Sequence, residues 1–475
     1  MKRAKLIVPV VPARARKQLM NSGDADDDGG VTDEPIYKPN PMHTLGVMFK
    51  RILTLTAGAV FGVALTVAGA RVATAWNLFP NRDLSRSANY VREVMQLVSE
   101  HYVDAKAAAF DQLAKSALHG MVESLDPHSE FLEVKENQEF EEDLVGEFGG
   151  IGIQVETRQG KAVVIAPLAG TPGERAGIQR GDVIISIDGK AVEMNSTMDG
   201  IVNRLRGKPQ TQVSVGVFRP STKATMDLNL VREIIKIESV RDVHVIGDGV
   251  GYVQLTEFSE HTGEQFSKAL DQLLRAGATS LVIDMRNNPG GLLDAAVEVA
   301  EPFFKKGELI VSTRGRKATD REDYKAEREG DPLAVPLALL VNAGSASAAE
   351  VVTGALKDTG RAVVVGERSF GKGSVQSVFK LKHGEGLRLT TARYYTPSGV
   401  SIHEKGIAPH VEVVMTPEED RKLRRQRARS DITDPQEFKE RFGFERIEDR
   451  QLQAALDVLK GVRLLDTRAT RAHAL

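Results

Sequence analysis

The run Pro336 to Val341, PLALLV, passes directly into NAGSASAAE, Asn342 to Glu350, and few folds accommodate that junction. An uninterrupted apolar run, then small residues, then helix formers predicts a buried strand, a tight turn and a helix, the repeating unit of an α/β sheet. Small residues on both sides of Ser347 let the backbone turn sharply and let a substrate carbonyl approach the hydroxyl. The N–H groups of the starting helix point at the same spot. Ser347 is therefore a candidate nucleophile. The competing reading is that Ser345 and Ser347 only cap a helix through Val351 to Leu356. Taken alone, the stretch leaves both open.

A nucleophilic serine needs a base, and Lys372 is the candidate, in GERSFGKGSVQ (Gly366 to Gln376) after the apolar strand Ala362 to Val365. The strand–helix–strand order brings both loops to one edge of a parallel sheet. A lysine acts as a base only when neutral, which calls for roughly 4 kcal/mol of differential stabilisation relative to its ordinary state. Desolvation by Phe370, Val375 and the preceding strand is the expected source, while the flanking glycines let the amine reach the serine. Gly366 to Lys372 also reads GxxxxGK, the phosphate-loop pattern. Gly373 stands where that pattern needs Ser or Thr, and VQSVFKL then alternates like a strand, so the phosphate reading fails.

These motifs resemble those of the carboxyl-terminal processing peptidases, the tail-specific serine proteases, over roughly Tyr90 to Val414. The resemblance implies Ser347 as nucleophile, Lys372 as base 25 residues later, and Gln376 four residues beyond as the group that orients the lysine. It also implies an oxyanion site made by the N–H of Ala348 and that of Gly290 or Gly291. These two glycines lie in RNNPGG (Arg286 to Gly291), a turn that opens a helix, and the choice between them stays open.

At 475 residues the chain exceeds one core and should divide into two or three compact domains, and a net charge of −2 argues against a nucleic-acid partner. With no cysteine there is no disulfide framework and no thiolate chemistry. Residues 1–51 mix charge and glycine without apolar periodicity and read as a disordered cytoplasmic tail, or as a mis-assigned start with translation beginning at Met42 or Met48. Ile52 to Ala70 is an uncharged run of 19 residues after Lys50 and Arg51. It is long enough to span a bilayer, with everything after it outside the cytoplasm. A cleaved signal segment, ending at Ala70 or Ala75, shares that direction. Residues 52–75 are thus read as anchor or signal, and the rest as periplasmic or extracytoplasmic. Residues 76–145 form a helical region, with helices over Ser87 to Tyr102 and Asp111 to Ser124. The phrase LDPHSEFL (Leu125 to Leu132) follows them, and its His128 is read as structural.

From Gly146 the sequence GEFGGIGIQVE, followed by glycine turns and short strands closing with Val213 to Phe218 and Met226 to Val231, resembles a PDZ domain, residues 146–235. Phe148, Gly149, Gly150, Ile151, Gly152 and Ile153 are its candidate substrate-binding residues. The glycines free backbone N–H groups for a carboxylate, the strand Ile151 to Val155 offers an edge to an extended peptide, and Ile151 and Ile153 help floor the pocket. Residues 236–416 read as an α/β core, with a hairpin through His383-Gly384-Glu385. His403 and His410 are read as surface residues. No cluster has zinc-ligand spacing and no cofactor is expected. Residues 417–475 form a charged helical tail. The run EEDRKLRRQRARSD is read as a solvated helix face, and Leu452, Leu456 and Leu459 as a stripe that packs back or dimerises.

The expected fold is thus an α/β protease core of crotonase/ClpP-like topology with an inserted PDZ domain, a small helical region and an N-terminal membrane or signal segment. The expected function is a serine endopeptidase that cuts protein substrates recognised by their C-terminal tails, through an acyl-enzyme. The expected partners are those tails, the membrane, an adaptor protein and a second copy of the chain. The alternative is a PDZ adaptor on a silent protease-like core.

Overall fold

The computed structural model describes residues 81–473 apart from 195, 430 and 431, together with 56, 58, 61–64 and 66, which are helical. The expected tail, residues 1–51, lies outside the described residues, as does most of the expected anchor or signal segment, residues 52–75. Among the described residues, no helix is long and apolar enough to cross a membrane. The chain forms two units, Met1–Ala105 and Lys106–Leu475. In the first, the helix Arg82–His101 starts where the Asn81 side chain accepts the N–H groups of Asp83 and Leu84.

The second unit is built on a six-stranded sheet in the order Val240–Ile246, Val250–Leu255, Ser280–Asp284, Leu337–Val341, Val363–Gly366 and Val411–Glu412. The first pair is antiparallel and the remaining neighbours are parallel. Its strands are apolar at successive positions because both faces are covered. Leu281, Ile283, Leu337, Leu339 and Val341 face the helices Thr262–Arg275, Leu293–Ala300 and Ala348–Asp358. Val282, Ala338 and Leu340 face Ala455 and Leu459 of the C-terminal helix Arg450–His473. The tail stripe therefore packs back on its own sheet.

A second, antiparallel sheet joins Glu130–Leu132, Gly386–Tyr395, Leu309–Gly315 and Arg321–Lys325, with Ser374–Lys380 beside Gly386–Tyr395 as the expected hairpin. The helix Phe110–Glu123 precedes it, and a further helix, Val134–Val145, follows Glu130–Leu132.

Between Gly146 and Lys236 the chain leaves the core and returns through an antiparallel ribbon, Glu147–Gly150 with Glu233–Lys236. Beyond the ribbon lies a separate sheet in the order Ile153–Arg158, Lys161–Pro167, Val183–Ile187, Gln212–Arg219 and Ala224–Val231, with its own apolar core around Ile184, Val215 and Leu230. Ile153–Arg158 is an edge strand.

The charged run after Thr416 folds as the helix Pro417–Ala428, and its reading as a wholly solvated face is corrected. Leu423 and Arg429 are buried. Arg427 reaches Asp284 at 3.2 Å and Asp449 at 2.6 Å. Asp284 is fully buried and also takes Arg286 at 2.6 Å, so these charges are held as an internal network.

Candidate active site

Strand Leu337–Val341 ends in a turn whose shape is set by Asn342 and Ser345. Ser345 Oγ donates to the Met285 carbonyl at 2.8 Å and accepts the Asn342 N–H at 3.0 Å, so this serine is consumed by the turn. Ser347 stands at the N-cap of Ala348–Asp358 with φ 53° and ψ −114°, in a capping box with Glu350. A non-glycine residue held there costs roughly 1–3 kcal/mol, and such strain persists only where neighbours over-determine it. A helix cap ordinarily sits in extended backbone, so capping alone does not call for this conformation.

The constraint comes from Glu350. This fully buried carboxylate accepts the N–H of Ser347 at 2.9 Å and that of Lys372 at 2.9 Å. It also accepts the N–H of Gly371 at 2.7 Å and the Ser369 hydroxyl at 2.6 Å. Burial holds its carboxyl above the ordinary range, with those donors opposing in part. One side chain thus fastens the serine turn and the lysine loop to a common point. Sequence reasoning passed over it, although Ser347-x-x-Glu350 has capping-box spacing.

Lys372 is half-buried, and its amine is lowered first by burial and then by the Arg388 guanidinium, with Asp126 opposing. Nζ donates to Gln376 Oε1 at 3.2 Å and makes no hydrogen bond to the Ser347 hydroxyl. Phe370 was expected to help keep it dry, but it is 63% exposed, because its backbone is tied to Ser345 and its ring points outward. Gly373 cannot be larger, since a Cβ there would stand 2.2 Å from the His403 nitrogen.

Gln376 is held by the LDPHSEFL turn. Its Nε2 donates to the His128 carbonyl, which also accepts from Arg388 Nε at 3.3 Å. The turn is closed by Asp126, which accepts the N–H of His128 at 2.8 Å and the Ser129 hydroxyl at 2.7 Å. The structural reading of His128 therefore stands, but through its carbonyl. His403 is half-buried, not a surface residue, because it backs the lysine loop at Gly373; His410 is exposed. Tyr394, which sequence reasoning missed, lies beside the Ser347 hydroxyl, and burial pushes its phenol up to about 12. No local pattern marks it.

RNNPGG packs onto the serine turn. Gly290 has φ 100°, and a Cβ there would stand 2.7 Å from Ser347 Cβ and 2.9 Å from Ala348 N. Its own N–H is given to Asn288 Oδ1 at 2.8 Å. The N–H groups of Gly291 and Ala348 have no acceptor among the described residues. A Cβ at Gly291 would lie 2.1 Å from the Phe258 carbonyl, which restricts this position to glycine.

In the smaller domain, the edge strand Ile153–Arg158 and the helix Met198–Leu205 flank a groove of about 390 Å³ lined by Phe148, Gly150, Ile151, Gly152 and Ile153 among others. The N–H groups of Ile151 and Gly152 have no acceptor among the described residues. Gly149 does not line the groove. A Cβ there would stand 2.0 Å from the Gly207 carbonyl, so its smallness serves packing. The edge strand begins at Ile153, two residues later than expected, because Gly152 at φ 69° turns the chain.

If Lys372 is the base and Arg388 helps to lower it, then Arg388→Gln should move the alkaline-rising limb of kcat/KM to higher pH. The rate at neutral pH should fall, while the plateau is retained. An unmoved limb would remove Arg388 from the account. The sign follows from removing a like charge, which makes protonation of Lys372 easier.

The peptidase family S41 model matches residues 249–413 and the PDZ-domain model matches residues 149–230. A carboxy-terminal-processing protease of Bartonella bacilliformis is 37% identical over 370 residues, covering 77% of this chain and 83% of that protein. A CtpA-like serine protease of Staphylococcus aureus is 36% identical over 334 residues, covering 70% of this chain and 66% of that protein. The solved photosystem II D1 C-terminal processing protease is 32% identical, with 68% of this chain and 92% of that chain covered and a TM-score of 0.40. With that identity over most of a curated relative, the chain belongs to peptidase family S41, as a serine peptidase of the carboxy-terminal-processing group with a PDZ domain.

Proposed function

We propose that the chain is an exported endopeptidase, anchored by or cleaved after the run at residues 52–70, that cuts proteins selected by their free carboxyl end. Ser347 is the nucleophile, Lys372 the base, and Gln376 the group that orients the lysine. The observation that carries this reading is that one oxygen of the Glu350 carboxylate, Oε2, accepts the backbone N–H groups of both Ser347 and Lys372. Lys372 is also half-buried, with its amine lowered.

Neutral Lys372 takes the Ser347 proton as Oγ bonds to the scissile carbonyl carbon. The resulting oxyanion receives the N–H groups of Gly291 and Ala348, the two donors left without acceptors, whereas the Gly290 N–H is spent on Asn288. The peptide C–N bond then breaks, and the leaving amine takes the proton from the lysine ammonium. Water attacks the acyl-enzyme, gives its proton to Lys372, and Ser347 is released with its proton restored. For the first step the amine must turn from Gln376 toward Ser347. Catalytic hydrogen bonds commonly tighten only with substrate present.

Tail selection rests on the groove and on the N–H groups of Ile151 and Gly152, which suit a carboxylate. Amidating a substrate's last residue replaces a charge-assisted contact by a neutral one, at a cost of about 5- to 150-fold in affinity. Cleavage of an unfolded protein with apolar last residues should fall by that factor well below saturation. The Ser347→Ala chain should cut neither form. Equal cleavage of free-acid and amidated substrates would remove tail recognition and leave a protease with a structural insert.

A further inference from the structure

Beside the groove proposed to take the carboxyl end lies a second cavity of about 420 Å³, with Gln154 and Ile165 lining both. The second cavity is walled by five arginines. Arg158 comes from the edge strand, Arg241 from Val240–Ile246, Arg425 and Arg429 from the helix Pro417–Ala428 and its end, and Arg441 from the helix Pro435–Phe442. The one carboxylate among the described lining residues, Glu156, is taken by Arg158 at 2.7 Å and faces Arg441 at 3.9 Å. Outside the cavity, Glu437 lies 3.9 Å from Arg441 and 3.8 Å from Arg180. Arg441 Nε is buried without a hydrogen-bond partner among the described residues. Burial lowers the Arg441 guanidinium, and Arg429, Arg158 and Arg180 lower it further, which is the signature of crowded like charge.

Strand geometry says which part of a bound tail meets this cavity. A peptide added antiparallel to Ile153–Arg158 with its last residue opposite Ile153 sets each earlier residue one position further along that strand. The third residue before the last then stands opposite Glu156, and the fifth opposite Arg158. Directly opposite side chains share a face, and faces alternate along a strand. Ile153 and Val155 pack toward the module's own core, which leaves Glu156 and Arg158 on the other face, over the arginines. The second residue before the last, opposite Val155, faces the groove.

We propose that this cavity reads an acidic side chain at the fifth position before the last residue of a bound tail, opposite Arg158, by guanidinium–carboxylate pairing. The inference rests on the tail reading above and adds a second specificity site to it. It is tested with the full chain carrying Ser347→Ala, so that nothing is cut, and fluorescent peptides of one composition that share a free apolar end. A glutamate at the fifth position should bind about 5-fold tighter at low salt than one at the second, which faces the groove. The difference should shrink as salt rises. Adding Arg241→Glu and Arg425→Glu, both at exposed positions, should abolish or reverse the preference. Equal affinity for the two registers overturns the proposal. So does a gain that is the same wherever the acid sits, since that describes a diffuse positive field. Amidated and free-acid peptides binding equally would refute the tail reading itself, which the register comparison does not measure.

Discussion

Lys372→Ala should lower kcat by about 10³- to 10⁵-fold, and combining it with Ser347→Ala should cost little more than either change alone. Residues that act as one unit are grossly non-additive, because losing either partner removes the same step. Lys372→Arg should be as inactive as Lys372→Ala. A guanidinium stays protonated at any working pH, so it can replace the charge and much of the bulk without replacing the base. That comparison separates catalysis from support of the fold. The amine is lowered by burial and by Arg388, so the chemistry it supports should rise with pH through a limb below the ordinary lysine range. The stability term has the same sign. Between the lowered folded value and the ordinary value the unfolded chain binds the extra proton, so stability also rises with pH there. Rates from single-turnover cleavage across pH would check the first and denaturant unfolding across the same range the second, and an arginine variant that retained activity would end the assignment of Lys372 as base.

Glu350→Ala is expected to be the most damaging change to the scaffold of the site. It leaves the N–H groups of Ser347, Gly371 and Lys372 and the Ser369 hydroxyl without the buried oxygens they use. At about 1–3 kcal/mol for each buried donor left unsatisfied, the loss approaches the whole stability of an ordinary domain. Because the alanine chain is expected to unfold, Glu350→Gln is the informative variant. It keeps one acceptor oxygen and turns an amide toward donors at the other. We expect a folded chain with a lowered Tm and kcat down by at least about 100-fold, with KM changed far less, since the groove is built from other residues. Thermal melts and steady-state kinetics measure both quantities. A Glu350→Gln chain with full kcat would show that the serine turn and lysine loop hold their relation without this carboxylate.

Much of this was legible in the sequence because the governing signals are local. The apolar run before Asn342, the glycines around Lys372 and the alternation after Gly373 each specify a strand or a turn within a few residues. The strand–helix–strand order then brings both loops to one sheet edge. What escaped is long-range. Tyr394 comes to Ser347 only through the second sheet, and the His128 carbonyl reaches Gln376 across 248 positions of chain. Phe370 misled because an apolar residue beside a lysine suggests burial, whereas a backbone bond from its N–H to the Ser345 carbonyl sets where the ring goes. The proposed preference for Gly291 over Gly290 turns on which N–H is already spent, and that depends on the Asn288 side chain. The charge run after Thr416 misled for a related reason. Its solvated composition hides Arg427, whose partners Asp284 and Asp449 are remote in sequence.

The most direct test of the serine–lysine account is the rate at which a small ester acylates the protein, followed by intact mass and located by peptide mapping. The probe needs neither the groove nor the arginine cavity, so it isolates the reacting groups. The account predicts a single acyl adduct on Ser347, formed at a rate that climbs with pH through the lowered Lys372 limb. It predicts that the adduct is absent in Ser347→Ala and nearly absent in both Lys372→Ala and Lys372→Arg. An adduct on another residue, or one formed on Ser347 at an undiminished rate in the two lysine variants, would contradict it.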